Sequence, residues 1–199
     1  MLNKMGNIYY YIGQISRWLG YSVLSSWKIP ECNINLVEIC FSLLEQDSIL
    51  PIIVQVGAFD GVSNDYLTDI LTKKNYQAAY LVEPQPRAVG KLYEKYSNQN
   101  NIYIIEAAIS HVDETIMMYF SDSFDQKASL NIDHFSKFGL PKRSIHSFLV
   151  EGMTVKTFCS KYHLNRIDLL QIDTEGLDLL VLKMFLAVVN LPLTTGIVF

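Results

Sequence analysis

The chain has 199 residues, of which 50% are hydrophobic, and its formal net charge is −4 at pH 7. This length and hydropathy support one substantial core and exclude a disordered chain or a second full domain. Without a basic run, the negative charge argues against a nucleic-acid partner. The cysteines Cys32, Cys40 and Cys159 form no CxxC pair and are odd in number, which favours a reducing compartment, the cytoplasm.

The N-terminal segment places apolar residues at helical spacing. Ile8, Ile12, Ile15 and Leu19 share one helix face, but Arg17 interrupts the segment before the roughly 20 apolar residues of a membrane span accumulate. We predict neither a signal peptide nor a transmembrane segment. A helix packed on the domain is favoured over one lying on a membrane surface, because such stripes are usually core.

A second helical pattern follows at 34–44, so residues 1–48 are predicted to form a helical extension. Beyond it, short apolar runs alternate with helical patterns, which is typical of an α/β fold with a mostly parallel sheet and helices on both faces. The predicted strands are 52–56, 78–82, 102–109, 167–172 and the final 196–199. The predicted helices between them are 63–74, one around 89–96, 155–162 and 177–189.

The alternation of strand and helix patterns is interrupted in the middle of the chain. Residues 114–122 predict an extra strand, and residues 121–147 predict an irregular insertion. An insertion placed over a ligand pocket often supplies the lid for the substrate.

The strand at 52–56 breaks directly into the turn Gly57–Gly61, which reads GAFDG. A turn with little side-chain bulk lets the backbone approach a ligand closely. Glu83 ends the next strand, where a carboxylate can accept both hydroxyls of a ribose. The two features predict an adenosine-containing ligand. Because the turn lacks the third glycine of the dinucleotide pattern, NAD is disfavoured.

Two acids, Asp173 and Glu175, follow the strand at 167–172, at the edge where open α/β sheets bind ligands. Two interpretations remain open and are compatible: the acids face the ligand, or Asp173 or Thr174 caps the helix that begins near Gly176. Two acids seldom make a full cation site, so we predict no metal.

Five segments resemble, in order and spacing, the FkbM family of S-adenosylmethionine-dependent methyltransferases. They are VQVGAFDG, YLVEPQP, IEAAIS, TVKTFCSKY and IDLLQIDTEGLDLLVLK, within residues 51–199. The resemblance implies a Rossmann-like class I methyltransferase domain over residues 49–199. It also implies methylation of a hydroxyl on a sugar or secondary metabolite.

By the same resemblance, the cofactor is S-adenosyl-L-methionine, and its contacts lie at the ends of the first three strands and of the strand at 167–172. These predicted contacts are Gly57, Ala58, Phe59, Asp60, Gly61, Glu83, Pro84, Glu106, Ala107 and Asp173. Methyl transfer from a sulfonium needs alignment of the acceptor and removal of one proton. Asp173 is the first candidate for that role, and His134 and His146 in the insertion are the alternatives.

Three departures from the family pattern stand out. Gln55 replaces an acid before the turn, and Gln171 replaces a lysine in the strand at 167–172. The chain also stops at the strand GIVF, where the family continues with a helix and a β-hairpin, so we expect a fragment. An apolar final strand at an open sheet edge predicts self-association.

Two other functions are kept open. An NAD-dependent oxidoreductase would share the position of Glu83. A degenerate, non-catalytic methyltransferase domain would instead bind a partner through its aromatic N-terminus. Cofactor binding separates the three possibilities.

Overall fold

The computed structural model describes residues 23–24, 35–63, 65–121, 124–130, 132, 135, 144–174, 176–189 and 196–198. Over these residues it contains ten strands and five helices. The strands are β1 (Val23–Leu24), β2 (Ile52–Val56), β3 (Ala78–Val82), β4 (Ile102–Ile105), β5 (Ala108–Ile109), β6 (Thr115–Ser121), β7 (Phe124–Ser129), β8 (Ile145–Met153), β9 (Leu169–Ile172) and β10 (Gly196–Val198). The helices are α1 (Leu36–Gln46), α2 (Thr68–Lys73), α3 (Pro86–Tyr96), α4 (Val155–Lys161) and α5 (Asp178–Val188).

The central sheet of the described chain has six parallel strands in the order β1-β10-β9-β2-β3-β4. Every residue of β2, β3 and β9 is buried, which explains why these strands read as continuous apolar runs. Phe158 of α4 and Phe185 of α5 pack on one face of the sheet. Phe41 of α1, Leu71 of α2 and Leu92 of α3 pack on the other. The predicted Rossmann-like α/β fold is confirmed.

A second sheet, in the order β5-β8-β6-β7, lies beside the central one. Strand β6 confirms the extra strand that the sequence predicts. The predicted irregular stretch at 121–147 is wrong in part, because β7 and the start of β8 occupy it. The predicted strand at 102–109 divides at Glu106, after which Ala108 and Ile109 pair with Gly152 and Met153 of β8.

Helix α2 starts later than the predicted residue 63. The carboxylate of Asp60 accepts hydrogen bonds from the backbone N–H groups of Val62 and Ser63, and Asp65 accepts one from Leu67. Such local side-chain bonds compete with the helical pattern and hold residues 60–63 and 65–67 in turns. The helix therefore begins at Thr68.

The N-terminal extension is not entirely helical. Val23 and Leu24 pair in parallel with Ile197 and Val198, so β1 covers the edge of β10 that the sequence leaves open. Because β1 pairs with β10, the argument for self-association from an unpaired β10 edge no longer applies. Self-association itself stays a prediction. The predicted helix through Ile8 to Leu19 lies outside the described residues. No helix in the described parts of the chain is long and apolar enough to cross a membrane.

Candidate functional site

A cavity of ≈150 Å³ lies at the carboxyl edge of the central sheet, where β2, β3 and β9 end; we call it the main cavity. This is the edge at which open α/β sheets bind ligands. The central sheet and the segments that follow its strands contribute most of the lining: Val56, Gly57, Phe59, Ser63, Val82, Glu83, Pro84, Gln85, Ala107, Asp173, Thr174, Leu177 and Val181. The second sheet and its flanks contribute Ala108, Ile109, Met118, Ala128 and Leu130.

The turn after β2 is held against both neighbouring strands. The N–H groups of Gly57 and Ala58 donate to the carbonyl oxygen of Val82 at 2.9 and 3.2 Å. Gly57 has a φ of 86°, and a Cβ atom built on it would lie 1.9 Å from the carbonyl oxygen of Asp173. Glycine is therefore required at this position, both for the left-handed backbone and for the close approach of β9.

Asp60 stabilises the turn itself. Its carboxylate accepts backbone hydrogen bonds from Val62 and Ser63 at 3.0 and 2.9 Å, and it lies 3.3 Å from the ammonium of Lys91. Burial raises the pKa of Asp60, but the hydrogen bonds, chiefly those from Ser63 and Val62, outweigh it and leave the pKa below its ordinary value. Asp60 does not line the main cavity. Its predicted contact with a cofactor stays a prediction.

Glu83 places a buried carboxyl group in the wall of the main cavity, with 3% of the residue exposed. One oxygen accepts the N–H of Phe59 at 2.8 Å and the other accepts the N–H of Gln85 at 2.9 Å. Burial raises the pKa of Glu83 to about 7, against the lowering effect of the two N–H donors. The carboxyl thus links the turn to the end of β3 and titrates near neutral pH.

The segment after β9 brings Asp173 to the same cavity. The N–H of Asp173 donates to the carbonyl oxygen of Val56 at 2.9 Å, which extends the β2–β9 pairing by one residue. The side chain of Asp173 is exposed and lines the main cavity. Glu175 lies outside the described residues.

Capping of the next helix by Asp173 or Thr174 is not what the structure shows. Helix α5 begins at Asp178, and the preceding Leu177 makes no side-chain capping bond. The carboxylate of Asp178 instead reaches back and accepts the N–H and the hydroxyl of Thr174 at 2.7 and 2.8 Å. Asp178 therefore organises the loop that carries Asp173, a role that the sequence reasoning missed.

The structure brings together about half of the predicted site residues. Those that line the main cavity are Gly57, Phe59, Glu83, Pro84, Ala107 and Asp173. Ala58, Asp60 and Gly61 support the turn without lining the cavity, and Glu106 is exposed outside it.

The two histidine candidates do not join this group in the described structure. His146 is exposed on β8, with its ring 5.3 Å from that of Phe120, and it is not among the lining residues. His134 lies outside the described residues. Sequence reasoning missed the wall formed by Met118, Ala128 and Leu130, although the apolar run around Met118 was recognised as a strand.

Several solved structures resemble the chain, among them the following three, each with a low TM-score. A methyltransferase FkbM from Methylobacillus flagellatus is 17% identical, with a TM-score of 0.40, and the match covers 68% of this chain and 28% of that chain. A putative RNA methyltransferase from Pyrococcus horikoshii is 20% identical, with a TM-score of 0.31, over 40% of this chain and 37% of that one. A precorrin 8w decarboxylase from Methanobacterium thermoautotrophicum is 11% identical, with a TM-score of 0.38, over 88% and 67%. With scores this low, the assignment does not depend on these structures.

The sequence comparison is more specific. No curated protein matches the chain. The family model of the methyltransferase FkbM domain matches residues 55–189, which is more than half of the chain and includes the turn, Glu83 and Asp173. The chain therefore belongs to the FkbM methyltransferase domain family.

Proposed function

We propose that the chain is an S-adenosyl-L-methionine-dependent methyltransferase that methylates a hydroxyl group of a sugar or secondary metabolite. Family membership supports methyl transfer. The observation that carries the cofactor assignment is Glu83, a buried carboxyl group that lines the main cavity beside the Gly57 turn. A carboxylate at the end of this strand is suited to the two hydroxyls of a ribose.

The residues of the main cavity fit this cofactor. A carboxylate has about four lone-pair sites, and Glu83 uses one on each oxygen for backbone N–H groups, so both oxygens keep a site for a ribose hydroxyl. Pro84, Ala107 and Ile109 offer an apolar surface for an adenine ring. Gly57 has no side chain and leaves the backbone open to the methionine part.

When bound, the cofactor supplies a methyl group for in-line transfer to an acceptor oxygen that must lose its proton. We assign to Asp173 the orientation of the acceptor hydroxyl and the uptake of this proton; its exposure at the wall of the main cavity supports the assignment. No covalent nucleophile is needed. Asp178 positions Asp173 indirectly, through its two hydrogen bonds to Thr174.

Calorimetry with S-adenosylhomocysteine and with NAD tests the cofactor assignment. We expect the purified chain to bind S-adenosylhomocysteine and not NAD. Glu83→Ala should weaken that binding by about ten- to a hundredfold, because it removes charge-assisted hydrogen bonds worth about 1.5–3 kcal/mol. Glu94→Ala is the matched control, since this exposed carboxylate on α3 does not line the main cavity. Tight binding of NAD alone would overturn the proposal.

A further inference from the structure

A second cavity of ≈380 Å³, which we call the side cavity, adjoins the main one. The two cavities share Phe59 and Gln85 as lining residues. The side cavity lies between the start of α3 and the second sheet, which contributes Phe120 and Phe148. Its volume is within the range of small-molecule sites. The cofactor proposed for this chain fits the main cavity, so the side cavity has no ligand assigned to it.

One face of the second sheet extends through both cavities. Met118 lines the main cavity, and Phe120, two residues further along β6 and so on the same face, lines the side cavity. Met118 is the register neighbour of Phe148 in β8. Phe120 is the register neighbour of Ala128 in β7, which lines the main cavity. The two cavities are therefore bounded by one continuous apolar surface.

The walls of the side cavity are chiefly apolar. Phe120 and Phe148 are half-buried, and their rings meet edge to face with centroids 5.5 Å apart. Pro86 and Ala88 contribute apolar groups from α3. Small-molecule sites are typically lined in this way, by aromatic and aliphatic side chains with few polar groups.

Phe59 stands where the two cavities meet. Its N–H donates to the carboxyl group of Glu83 at 2.8 Å, and its backbone φ of 45° lies in the left-handed region. That region is unfavourable for a residue other than glycine, so the surrounding structure must hold Phe59 there. A ligand in the side cavity thus reaches the main cavity beside Phe59.

The cations of the side cavity are already engaged within the chain. The ammonium of Lys91 lies 3.3 Å from the carboxylate of Asp60 and 5.7 Å from the centroid of the Phe59 ring. Arg87 also has an interaction partner. The remaining polar side chain among the described lining residues is that of Gln85. The side cavity therefore offers a ligand mainly apolar contact, with its charges already compensated.

We propose that the side cavity is the acceptor subsite and that the acceptor is an uncharged phenol. Its ring would lie against Phe59, Phe120 and Phe148, with the hydroxyl group at the main cavity. Aromatic rings bury a large apolar area and pair well edge to face. A sugar would bring several hydroxyls against an apolar wall and lose their hydrogen bonds to water, and an acid would lose the hydration of its charge.

This inference rests on the proposed function and narrows its acceptor from hydroxyl compounds in general to phenols. The phenol oxygen forms a bond to the methyl carbon, the carbon–sulfur bond breaks with its electron pair on sulfur, and the phenol proton passes to the carboxylate of Asp173. A phenol has a pKa of about 10, against about 15.7 for water. It therefore gives up its proton to a weak base more readily than an aliphatic hydroxyl does.

Ligand-observed NMR titrations at saturating S-adenosylhomocysteine compare three probes. The probe 4-methylphenol has the proposed chemistry, 4-hydroxybenzoate adds a charge to the same ring, and methyl glucoside replaces the ring by a sugar. We expect 4-methylphenol to bind about tenfold more tightly than either of the others, because only it buries no unpaired polar group beyond its hydroxyl. An inter-ligand nuclear Overhauser effect between 4-methylphenol and S-adenosylhomocysteine should appear, because the two cavities meet at Phe59.

Matched variants test the aromatic wall. Phe148→Ala should weaken 4-methylphenol about five- to tenfold and leave the affinity for S-adenosylhomocysteine unchanged, because Phe148 lines the side cavity and not the main one. Leu149→Ala is the control, since this neighbour on β8 is exposed and lines neither cavity. Circular dichroism checks the fold of each variant. If Phe148→Ala does not fold, Phe148→Leu keeps most of the apolar volume and should weaken 4-methylphenol about threefold.

The outcomes distinguish this inference from the proposed function. Equal or tighter binding of 4-hydroxybenzoate or methyl glucoside would overturn the phenol assignment even if S-adenosylhomocysteine binds. Unchanged affinity for 4-methylphenol in the folded Phe148 variants, or no inter-ligand effect while both ligands are bound, would overturn the subsite. Binding of 4-methylphenol that responds to Phe148→Ala, in a chain that does not bind S-adenosylhomocysteine, would support the ligand class while the methyltransferase proposal fails.

Discussion

A Cβ atom on Gly57 would lie 1.9 Å from the carbonyl oxygen of Asp173. The turn after β2 and the end of β9 thus touch through a residue without a side chain. Because both segments line the main cavity, the same contact determines how far apart the Gly57 turn and the loop that carries Asp173 lie.

Gly57→Ala should destabilise the chain by more than about 3 kcal/mol, since it adds both a left-handed alanine and a backbone overlap. The control is Gly90→Ala in the interior of α3, where a Cβ would meet no atom within 4 Å. That variant should gain roughly 0.5–1 kcal/mol, because alanine favours helix. Urea unfolding followed by circular dichroism measures both. An unchanged midpoint for Gly57→Ala would contradict the close approach.

The stability of the unliganded chain should depend on the titration of Glu83. Burial raises the pKa of Glu83 from the ordinary 4.5 to about 7, so between these values the folded chain binds more protons than the unfolded one. Stability should therefore fall as pH rises from about 4.5 to about 7, by roughly 3 kcal/mol, and then level off. Glu83→Gln should lack this component. Unfolding midpoints of both proteins at four pH values give the difference, and parallel curves would refute it.

Asp173→Asn should lower turnover about a hundredfold or more and change the affinity for S-adenosylhomocysteine little, because a general base acts on the acceptor and not on the cofactor. Formation of S-adenosylhomocysteine with a panel of hydroxyl-bearing sugars and phenols measures turnover, and calorimetry measures the affinity. A loss of affinity as large as that of Glu83→Ala would place Asp173 on the cofactor instead.

Gln171→Leu should stabilise the chain by about 1 kcal/mol. The side-chain oxygen of Gln171 is buried and has no hydrogen-bond partner within the described structure, and its removal relieves that cost. Gln55 is the register neighbour of Gln171 across β2 and β9 and also has an unpaired oxygen, but its amide donates to Asp65 at 3.1 Å.

Gln55→Leu should therefore gain less stability, or lose some, because the hydrogen bond to Asp65 disappears with the unpaired oxygen. Thermal unfolding of the two variants compares them directly. A destabilised Gln171→Leu would contradict the prediction and indicate that the amide of Gln171 is hydrogen-bonded in the folded chain.

The sequence by itself determined the inner strands of the central sheet and the position of the candidate site along them, but not the edge strand β1. Buried parallel strands are apolar throughout and need no long-range information to be recognised, so β2, β3 and β9 were predicted within one or two residues. Ligands bind at the carboxyl edge of such strands, so the positions of Gly57, Glu83 and Asp173 directly after three strands predict them as site residues from the sequence alone.

Only the tertiary structure decided which of these side chains face the cavity and what closes it. The sequence predicts that Asp60 contacts the cofactor. In the structure its carboxylate accepts hydrogen bonds from the backbone of the turn and pairs with Lys91, and it does not line the main cavity. Strand β8 is not predicted from the sequence, and its partners β5 and β6 lie roughly 25 to 45 residues away in the chain. The rings of Phe120 and Phe148 meet only through the pairing of β6 with β8, since no local pattern encodes a contact between such distant segments.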